Sequence, residues 1–146
     1  MAGATTPDLR ISDLTLQAID QALSLASYTG NAPFVLIFTP DLKVSVRILK
    51  RFNDRIVDFD AAGSRVLAVA AIAVDEAKEF ASENHLDLPL LSDASGSVAR
   101  ELNLEYACHP VVIVADREGR IRESVTFPDA HVEGILDHIR RLASET

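Results

Sequence analysis

The sequence predicts an α/β domain built around a mixed β-sheet. Two apolar runs, residues 34–39 and 65–74, lack polar alternation, as strands buried on both faces do. A segment whose apolar residues recur at helical spacing follows each run. Two further strands form a hairpin near the end of the chain, and an amphipathic helix closes it. Strands alternating with helices favour parallel pairing and a hairpin is antiparallel, so one sheet is expected to contain both.

The region before the first of these strands allows two interpretations. Apolar residues between Leu9 and Tyr28 fit helical spacing as well as strand alternation, and we favour a hairpin that turns near Asp20 and Gln21. Residues 1–7 are predicted to be a disordered leader, so that residues 8–146 form a single domain.

The helices after the two central strands have recognisable limits. The first is predicted to end near Gly63, because glycine commonly follows a helix C-terminus. Its apolar positions are Leu42, Leu49, Phe52, Ile56 and Phe59. Asp75 is placed to cap the second helix, with Glu76 and Glu79 in its first turns. The apolar positions of that helix are Ala77, Phe80 and Ala81.

The last part of the chain contains shorter elements. Residues 89–91 are predicted to form a short strand, followed by a helix around residues 98–102. Residues 111–115 and 121–127 form a hairpin in which Gly119 supplies a positive φ angle. The closing helix carries Val132, Ile135, Leu136, Ile139 and Leu142.

Composition excludes several classes of function. The 146 residues, 48% of them hydrophobic, suffice for one domain with its own core. A net charge of −8 argues against nucleic acid and against anionic membrane surfaces. The longest apolar stretch is about half the length that spans a bilayer. The first residues show no signal-peptide pattern, so a soluble cytoplasmic protein is expected.

Cysteine and histidine usage argues against metal and disulfide chemistry. The single cysteine, Cys108, excludes an intramolecular disulfide and a zinc site made of several thiolates. The four histidines, at positions 85, 109, 131 and 138, show no ligand spacing. No metal and no cofactor are therefore expected.

A βαβ unit followed by a ββα unit is the thioredoxin fold, in which helices cover both faces of a mixed sheet. Three motifs make this assignment more specific: Val74-Asp75 with Phe80-Ala81, then Leu90-Leu91-Ser92-Asp93, then the hairpin sequence of residues 112–121. Their order and spacing resemble AhpC/TSA peroxiredoxins over roughly residues 8–143. The resemblance implies a thioredoxin-like fold and a place among the redoxin and antioxidant proteins.

The resemblance also locates the active-site positions, which have changed here. The family motif Pro-x-x-x-Thr/Ser-x-x-Cys aligns with Pro40, Val44 and Arg47. The family's second arginine aligns with Pro110. The resemblance therefore implies a divergent member that lacks the peroxidatic cysteine, because an arginine cannot attack an O–O bond.

Pro110 has two interpretations. Thioredoxin relatives place a cis-proline at this point, facing the active-site helix. Alternatively, Pro110 is a trans-proline that opens an edge strand.

The residues around these positions suggest two further sites. Cys108 is either a relocated reactive thiol, favoured by Arg47 and the helix dipole, or an inert buried side chain. Ser45 and Arg47, together with His109, form a candidate site for a small anion or ligand. Alternatively, Arg47 lies on a solvated face and pairs with Asp41 or Asp54.

Apolar residues are unusually frequent where the first helix begins. They occupy alternate positions, Leu42, Val44, Val46 and Ile48, which is more than one buried face can use. Either the chain is extended there, or this surface meets a protein partner. By resemblance, we expect a homodimer.

Two functions from different classes remain. The favoured one is a binding or dimerisation module on a peroxiredoxin-like scaffold. The alternative is a thiol-dependent oxidoreductase that uses Cys108 with an external thiol donor. The reactivity of Cys108 separates them, since function follows from the site and not from the fold.

Overall fold

The computed structural model describes residues 15–17, 22–24, 32–40, 42–70, 72–88, 90–93, 99–100, 109–116, 120–126 and 131–143. The backbone alone is described at residues 15–17, 22–24, 42, 44, 74 and 143. The predicted leader, the turn near Asp20 and Gln21, and Gly119 lie outside these ranges. So does most of the helix predicted around residues 98–102, of which Ala99 and Arg100 are described and helical.

Besides the helical residues Ala99 and Arg100, the chain forms seven strands and four helices within these ranges. The strands are β1 (Thr15–Gln17), β2 (Ala22–Ser24), β3 (Phe34–Thr39), β4 (Arg65–Ala70), β5 (Leu90–Ser92), β6 (Val111–Ala115) and β7 (Ile121–Thr126). The helices are α1 (Leu42–Asp54), α2 (Ile56–Ala61), α3 (Val74–Glu83) and α4 (Val132–Ala143).

All seven strands belong to one mixed sheet in the order β2-β1-β5-β4-β3-β6-β7. The central strands β3, β4 and β5 are parallel, whereas β6 is antiparallel to β3 and β7 is antiparallel to β6. The ambiguous N-terminal region is a hairpin, since Leu16 pairs with Leu23 in antiparallel register. The predicted α/β fold with a central mixed sheet is confirmed.

Helices cover one face of the sheet and form its principal core. Phe52 of α1, Phe59 of α2 and Leu136 of α4 are fully buried there against strand residues such as Val35 and Val114. The residues that alternate to the second face are buried as deeply: Phe34, Leu36, Phe38, Leu67 and Val69 are at most 3% exposed. Both faces are therefore covered, as a thioredoxin-like fold requires.

The helix predicted to run continuously to Gly63 is broken at Arg55. Arg55 has φ −110° and ψ 12°, which interrupts the helical path between α1 and α2. Its guanidinium pairs with Asp58 at 2.6 Å and with Glu133 in the first turn of α4. The break turns Phe59 into the core beside Phe52, with ring centroids 5.6 Å apart. The predicted stop is confirmed, because Gly63 has φ +79° just beyond α2.

The limits predicted for β4 and α3 were wrong. The strand ends at Ala70 and does not reach Val74, which begins α3. Asp75 is not the cap, since it lies inside the first turn of α3, and the flanking residue Ala73 makes no side-chain capping bond. Asp75 still interacts favourably with the helix dipole, because its negative charge lies near the helix N-terminus.

The strand after Pro110, which one of the two interpretations of Pro110 placed at the edge of the sheet, is an internal strand. β6 pairs with β3 on one side and with β7 on the other. Pro110 directly precedes β6, where the N–H that proline lacks is not needed for the ladder. Among the described helices, none has the length and apolar character needed to cross a membrane.

Candidate functional site

The carboxyl ends of β3 and β4 form one edge of the sheet, and α1 and α3 begin beside it. Thr39 and Ala70 are the last residues of these strands and are in register. The Thr39 hydroxyl donates a hydrogen bond to the Val69 carbonyl at 2.9 Å, which joins the two strand ends. In parallel α/β sheets, ligands commonly bind in the crevice outside the carboxyl ends of strands.

A cavity of about 440 Å³ opens at this edge, between α1 and α3. The described residues that line it are Thr39, Pro40, Lys43, Ala70, Ile72, Glu76, Glu79, Phe80 and Glu83. This volume is in the range of small-molecule binding sites. The cavity is therefore a candidate binding site.

The floor of the cavity is apolar and is held in place by hydrogen bonds. The Ala70 carbonyl accepts the N–H groups of Ile72 at 2.9 Å and of Asp93 at 2.8 Å. The Ser92 hydroxyl donates to the Ile72 carbonyl. These bonds tie Ile72, in the segment after β4, to the end of β5.

One wall of the cavity is acidic. Glu76, Glu79 and Glu83 lie on the same side of α3, because residues spaced by three and four share a helix face. All three are exposed, and none forms an ion pair or hydrogen bond within the described structure. Lys43, in the first turn of α1, is the one basic residue among the described lining residues.

The positions singled out in α1 lie in different environments. Pro40 lines the cavity, whereas Ser45 is fully buried and Arg47 is exposed. Ser45 and Arg47 are about 200° apart around the helix, so their side chains point in different directions. Among the described residues Arg47 makes no ion pair, so neither Asp54 nor any other described acid is its partner.

The start of α1 is regular helix, so the extended chain offered as an explanation of its alternating apolar residues is wrong. Residues 42–54 are helical throughout, with Ile48 buried and Val46 half-buried. The side chains of Leu42 and Val44 lie outside the described structure. The protein partner offered as the other explanation stays a prediction.

The segment before β6 comes close to the same edge of the sheet. Phe38 of β3 is opposite Val111 of β6. Continuing this antiparallel register places Pro110 opposite Thr39 and His109 opposite Pro40. Pro110 is buried and His109 is exposed. Cys108, the next residue towards the N-terminus, lies outside the described residues.

The acidic wall was the feature that sequence reasoning missed. Glu76 and Glu79 were noted only for their favourable position in the helix dipole, and neither Lys43 nor Glu83 was selected. The spacing of 76, 79 and 83 indicates a shared helix face, but it does not say what that face borders. Thr39, Pro40 and Lys43 lie on the opposite wall, and only the packed structure brings them beside α3.

Sequence comparison identifies the family to which this chain is similar. The sequence profile of the AhpC/TSA family matches residues 3–124. No curated protein sequence showed significant similarity to the chain.

Several solved structures with the same architecture are peroxiredoxins. Xanthomonas campestris peroxiredoxin Q superposes with a TM-score of 0.74 at 19% identity, covering 97% of this chain and 98% of that chain. Peroxidoxin BcpB from Mycobacterium tuberculosis gives 0.79 at 18% identity, covering 96% and 97%. The mitochondrial 2-Cys peroxiredoxin from Plasmodium falciparum gives 0.76 at 18% identity, covering 90% of each chain. At such identities the likeness concerns the fold.

Proposed function

The chain belongs to the AhpC/TSA family, and we propose that it uses the family scaffold as a binding or dimerisation module without peroxidase chemistry. In this proposal Arg47 occupies the position of the peroxidatic cysteine. Val44 replaces the hydroxyl residue that orients peroxide, and Pro110 replaces the second arginine. Pro40 is the one position of the four that is kept.

The lack of a cysteine at the start of α1 carries the proposal. Cys108 is the single cysteine of the sequence, so β3 and α1 contain no thiol. Peroxide reduction in this fold requires a thiolate, stabilised near a helix N-terminus, that attacks the O–O bond. The Arg47 guanidinium stays protonated and offers no lone pair for that attack. The cavity beside α1 supports a binding role, because a ligand could bind there without any thiol chemistry.

Peroxide consumption tests the proposal directly. The protein is mixed with hydrogen peroxide and excess dithiothreitol, and the wild-type rate is compared with the rate of Cys108→Ser. We expect both proteins to match the rate of buffer with dithiothreitol alone. Catalytic turnover by the wild type that disappears in Cys108→Ser would contradict the binding role and support the alternative function described next.

The alternative function is a thiol-dependent oxidoreductase that uses Cys108. The register that pairs Val111 with Phe38 supports it, because Cys108 lies three residues before Val111 in the chain and Phe38 lies one residue before the end of β3. The Cys108 thiolate would attack peroxide, so that an S–O bond forms, the O–O bond breaks, and the departing hydroxide takes a proton to become water. One external thiol would then displace water from the sulfenic acid, and a second would release Cys108 and form the external disulfide.

Alkylation of Cys108 in the native protein distinguishes the two functions. Iodoacetamide labelling is followed against pH by intact mass, with the protein unfolded in guanidinium as the reference. A binding module is expected to leave Cys108 unlabelled until unfolding. Native labelling that titrates well below pH ~8.5, with an oxygen adduct after peroxide, would support the oxidoreductase.

The same proposal includes a homodimer in which the α1 surface around Val46 meets its partner. Sedimentation should give twice the mass of one chain, and Val46→Glu should halve it. Val57→Glu is the matched control, because Val57 is 74% exposed and belongs to α2 and not to α1. A monomeric wild type would contradict the dimer. The proposed location is the cytoplasm, where a chain with no internal disulfide is at no disadvantage.

A further inference from the structure

We propose that the cavity between α1 and α3 binds a small organic cation. The ammonium or guanidinium group of this ligand lies against the neighbouring acids Glu79 and Glu83, with Glu76 adding negative charge beside them. Its apolar body lies on the floor formed by Ala70, Ile72 and Phe80. The inference rests on the proposed binding role and names the class of ligand. It does not depend on the reactivity of Cys108.

The charge of the lining residues selects a cation. Three carboxylates border the cavity against one ammonium, that of Lys43. Each of the three carboxylates lacks an ion pair or hydrogen bond in the described structure, so each can accept hydrogen bonds from a cationic group. The Thr39 hydroxyl already donates its proton to Val69, so it presents only acceptor lone pairs to the cavity.

The spacing of the acids favours an organic cation over a metal ion. Glu76 and Glu83 are seven residues apart on α3, which is about 10 Å along the helix axis. Among the described residues, no three His, Cys, Asp or Glu side chains are close enough together to hold a metal ion. An elongated ligand with a hydrogen-bonding cationic end fits such a wall better than a single small ion.

The apolar floor requires that the ligand also has a hydrocarbon part. Ala70 is 1% exposed, and Ile72 and Phe80 are half-buried. A second copy of this chain is a poor occupant of the cavity itself, because its own acidic wall would be repelled by this one. A free small molecule is the better match to an indentation of about 440 Å³.

Titration with three ligands of similar shape tests the charge requirement. Phenethylamine is the cation, phenethyl alcohol the neutral analogue and phenylacetate the anion, each followed by amide chemical shifts in two-dimensional NMR at low salt. We expect phenethylamine to bind about tenfold more tightly than the alcohol, with phenylacetate weakest. Equal binding of amine and alcohol, or tighter binding of the anion, would overturn the proposal.

A series of alkylamines tests the apolar floor. Affinity is expected to rise about fourfold for each added methylene between ethylamine and hexylamine, as long as the chain is buried on the floor. Affinity that does not change with chain length would mean that the amine contacts only the acidic rim, and this would overturn the proposed cavity site.

Paired variants locate the site. Glu79→Gln with Glu83→Gln should weaken phenethylamine binding about fivefold to tenfold. The control is Asp54→Asn with Asp75→Asn, which removes the same charge from exposed positions that are not among the described lining residues. Equal losses in both pairs would show a general charge effect and reject the site. A Lys-containing tripeptide that binds more than tenfold tighter than free amines would overturn the small-molecule assignment.

The cysteine assays and the amine titrations test two separate proposals, so one proposal can be rejected while the other stands. Catalytic peroxide turnover by Cys108 would reject the binding-only function and leave amine binding to be judged by its own titration. Absence of amine binding in a protein with a silent Cys108 would reject the cation and leave the non-catalytic scaffold.

Discussion

The side-chain oxygen of Asn53, near the end of α1, accepts the backbone N–H of Leu88 at 3.1 Å, although the two residues are 35 positions apart. The same oxygen accepts the N–H of Asp87 at 2.6 Å, and the Asn53 amide donates to the His85 carbonyl at 3.3 Å. One side chain thus satisfies three backbone groups in the connection between α3 and β5. Leu88 is 2% exposed and belongs to the core that α1 and α2 cover.

Asn53→Ala is therefore expected to destabilise the protein by about 1–2 kcal/mol, because it leaves a partly buried N–H without its acceptor. Urea unfolding followed by circular dichroism measures the free energy of unfolding. Asp54→Ala, on the next residue, is the control and should change stability by less than about 0.5 kcal/mol. Equal effects of the two variants would contradict the structural role of Asn53.

Gly63→Ala is expected to lower the free energy of unfolding, and Gly134→Ala is expected to raise it. Nothing lies within 4 Å of a Cβ built at either glycine, so steric clashes do not enter. Gly63 has φ +79°, where alanine costs about 1 kcal/mol or more. Gly134 lies inside α4, where alanine gains up to about 1 kcal/mol in helix propensity. Thermal melting of both variants tests this, and a stabilising Gly63→Ala would contradict the positive φ.

Phe59→Ala should be among the most damaging single substitutions in the described core. Phe59 is fully buried and its ring lies 5.6 Å from that of Phe52. Removing it is expected to cost about 3–5 kcal/mol, because a cavity remains between α2 and the sheet. Val57→Ala, two residues away and 74% exposed in the native protein, should be nearly neutral. Chemical denaturation of both variants gives the comparison.

His138 and Glu123 connect α4 to β7. His138 Nδ1 lies 2.5 Å from Glu123 Oε1, and their side chains are 18% and 37% exposed. A double-mutant cycle with His138→Ala and Glu123→Ala should give a coupling of about 0.5 kcal/mol, because solvent screens a pair of this exposure. A coupling of zero would mean that the contact adds nothing to the attachment of α4.

Most of the secondary structure could be predicted from the sequence, because it follows from local patterns of apolar and polar residues. Uninterrupted apolar runs gave β3 and the start of β4, and the spacing of Ile135, Leu136 and Ile139 gave α4. The limits that failed depend on distant contacts. Arg55 follows the last residue of α1, and its guanidinium pairs with Glu133, which is 78 positions further along the chain.

Most of the candidate site could not be predicted from the sequence. The resemblance selected Pro40, Val44, Arg47 and Pro110, and of these the structure places Pro40 at the cavity. A helical repeat marks Glu76, Glu79 and Glu83 as one face of α3 without indicating what that face borders. Likewise, α1 carries both Ser45 and Arg47, and packing against the sheet decides that one is buried and the other exposed.

The amino-acid order alone determined the fold class, the family likeness and the lack of a thiol in α1, because patterning and residue chemistry are local properties. Tertiary structure decided the strand order, the acid-walled cavity and the pairing of Phe38 with Val111. These features join segments some 30 to 70 residues apart. Burial of the apolar faces of β3 and β4 fixes their register, and that register places the strand ends and their helices around one cavity.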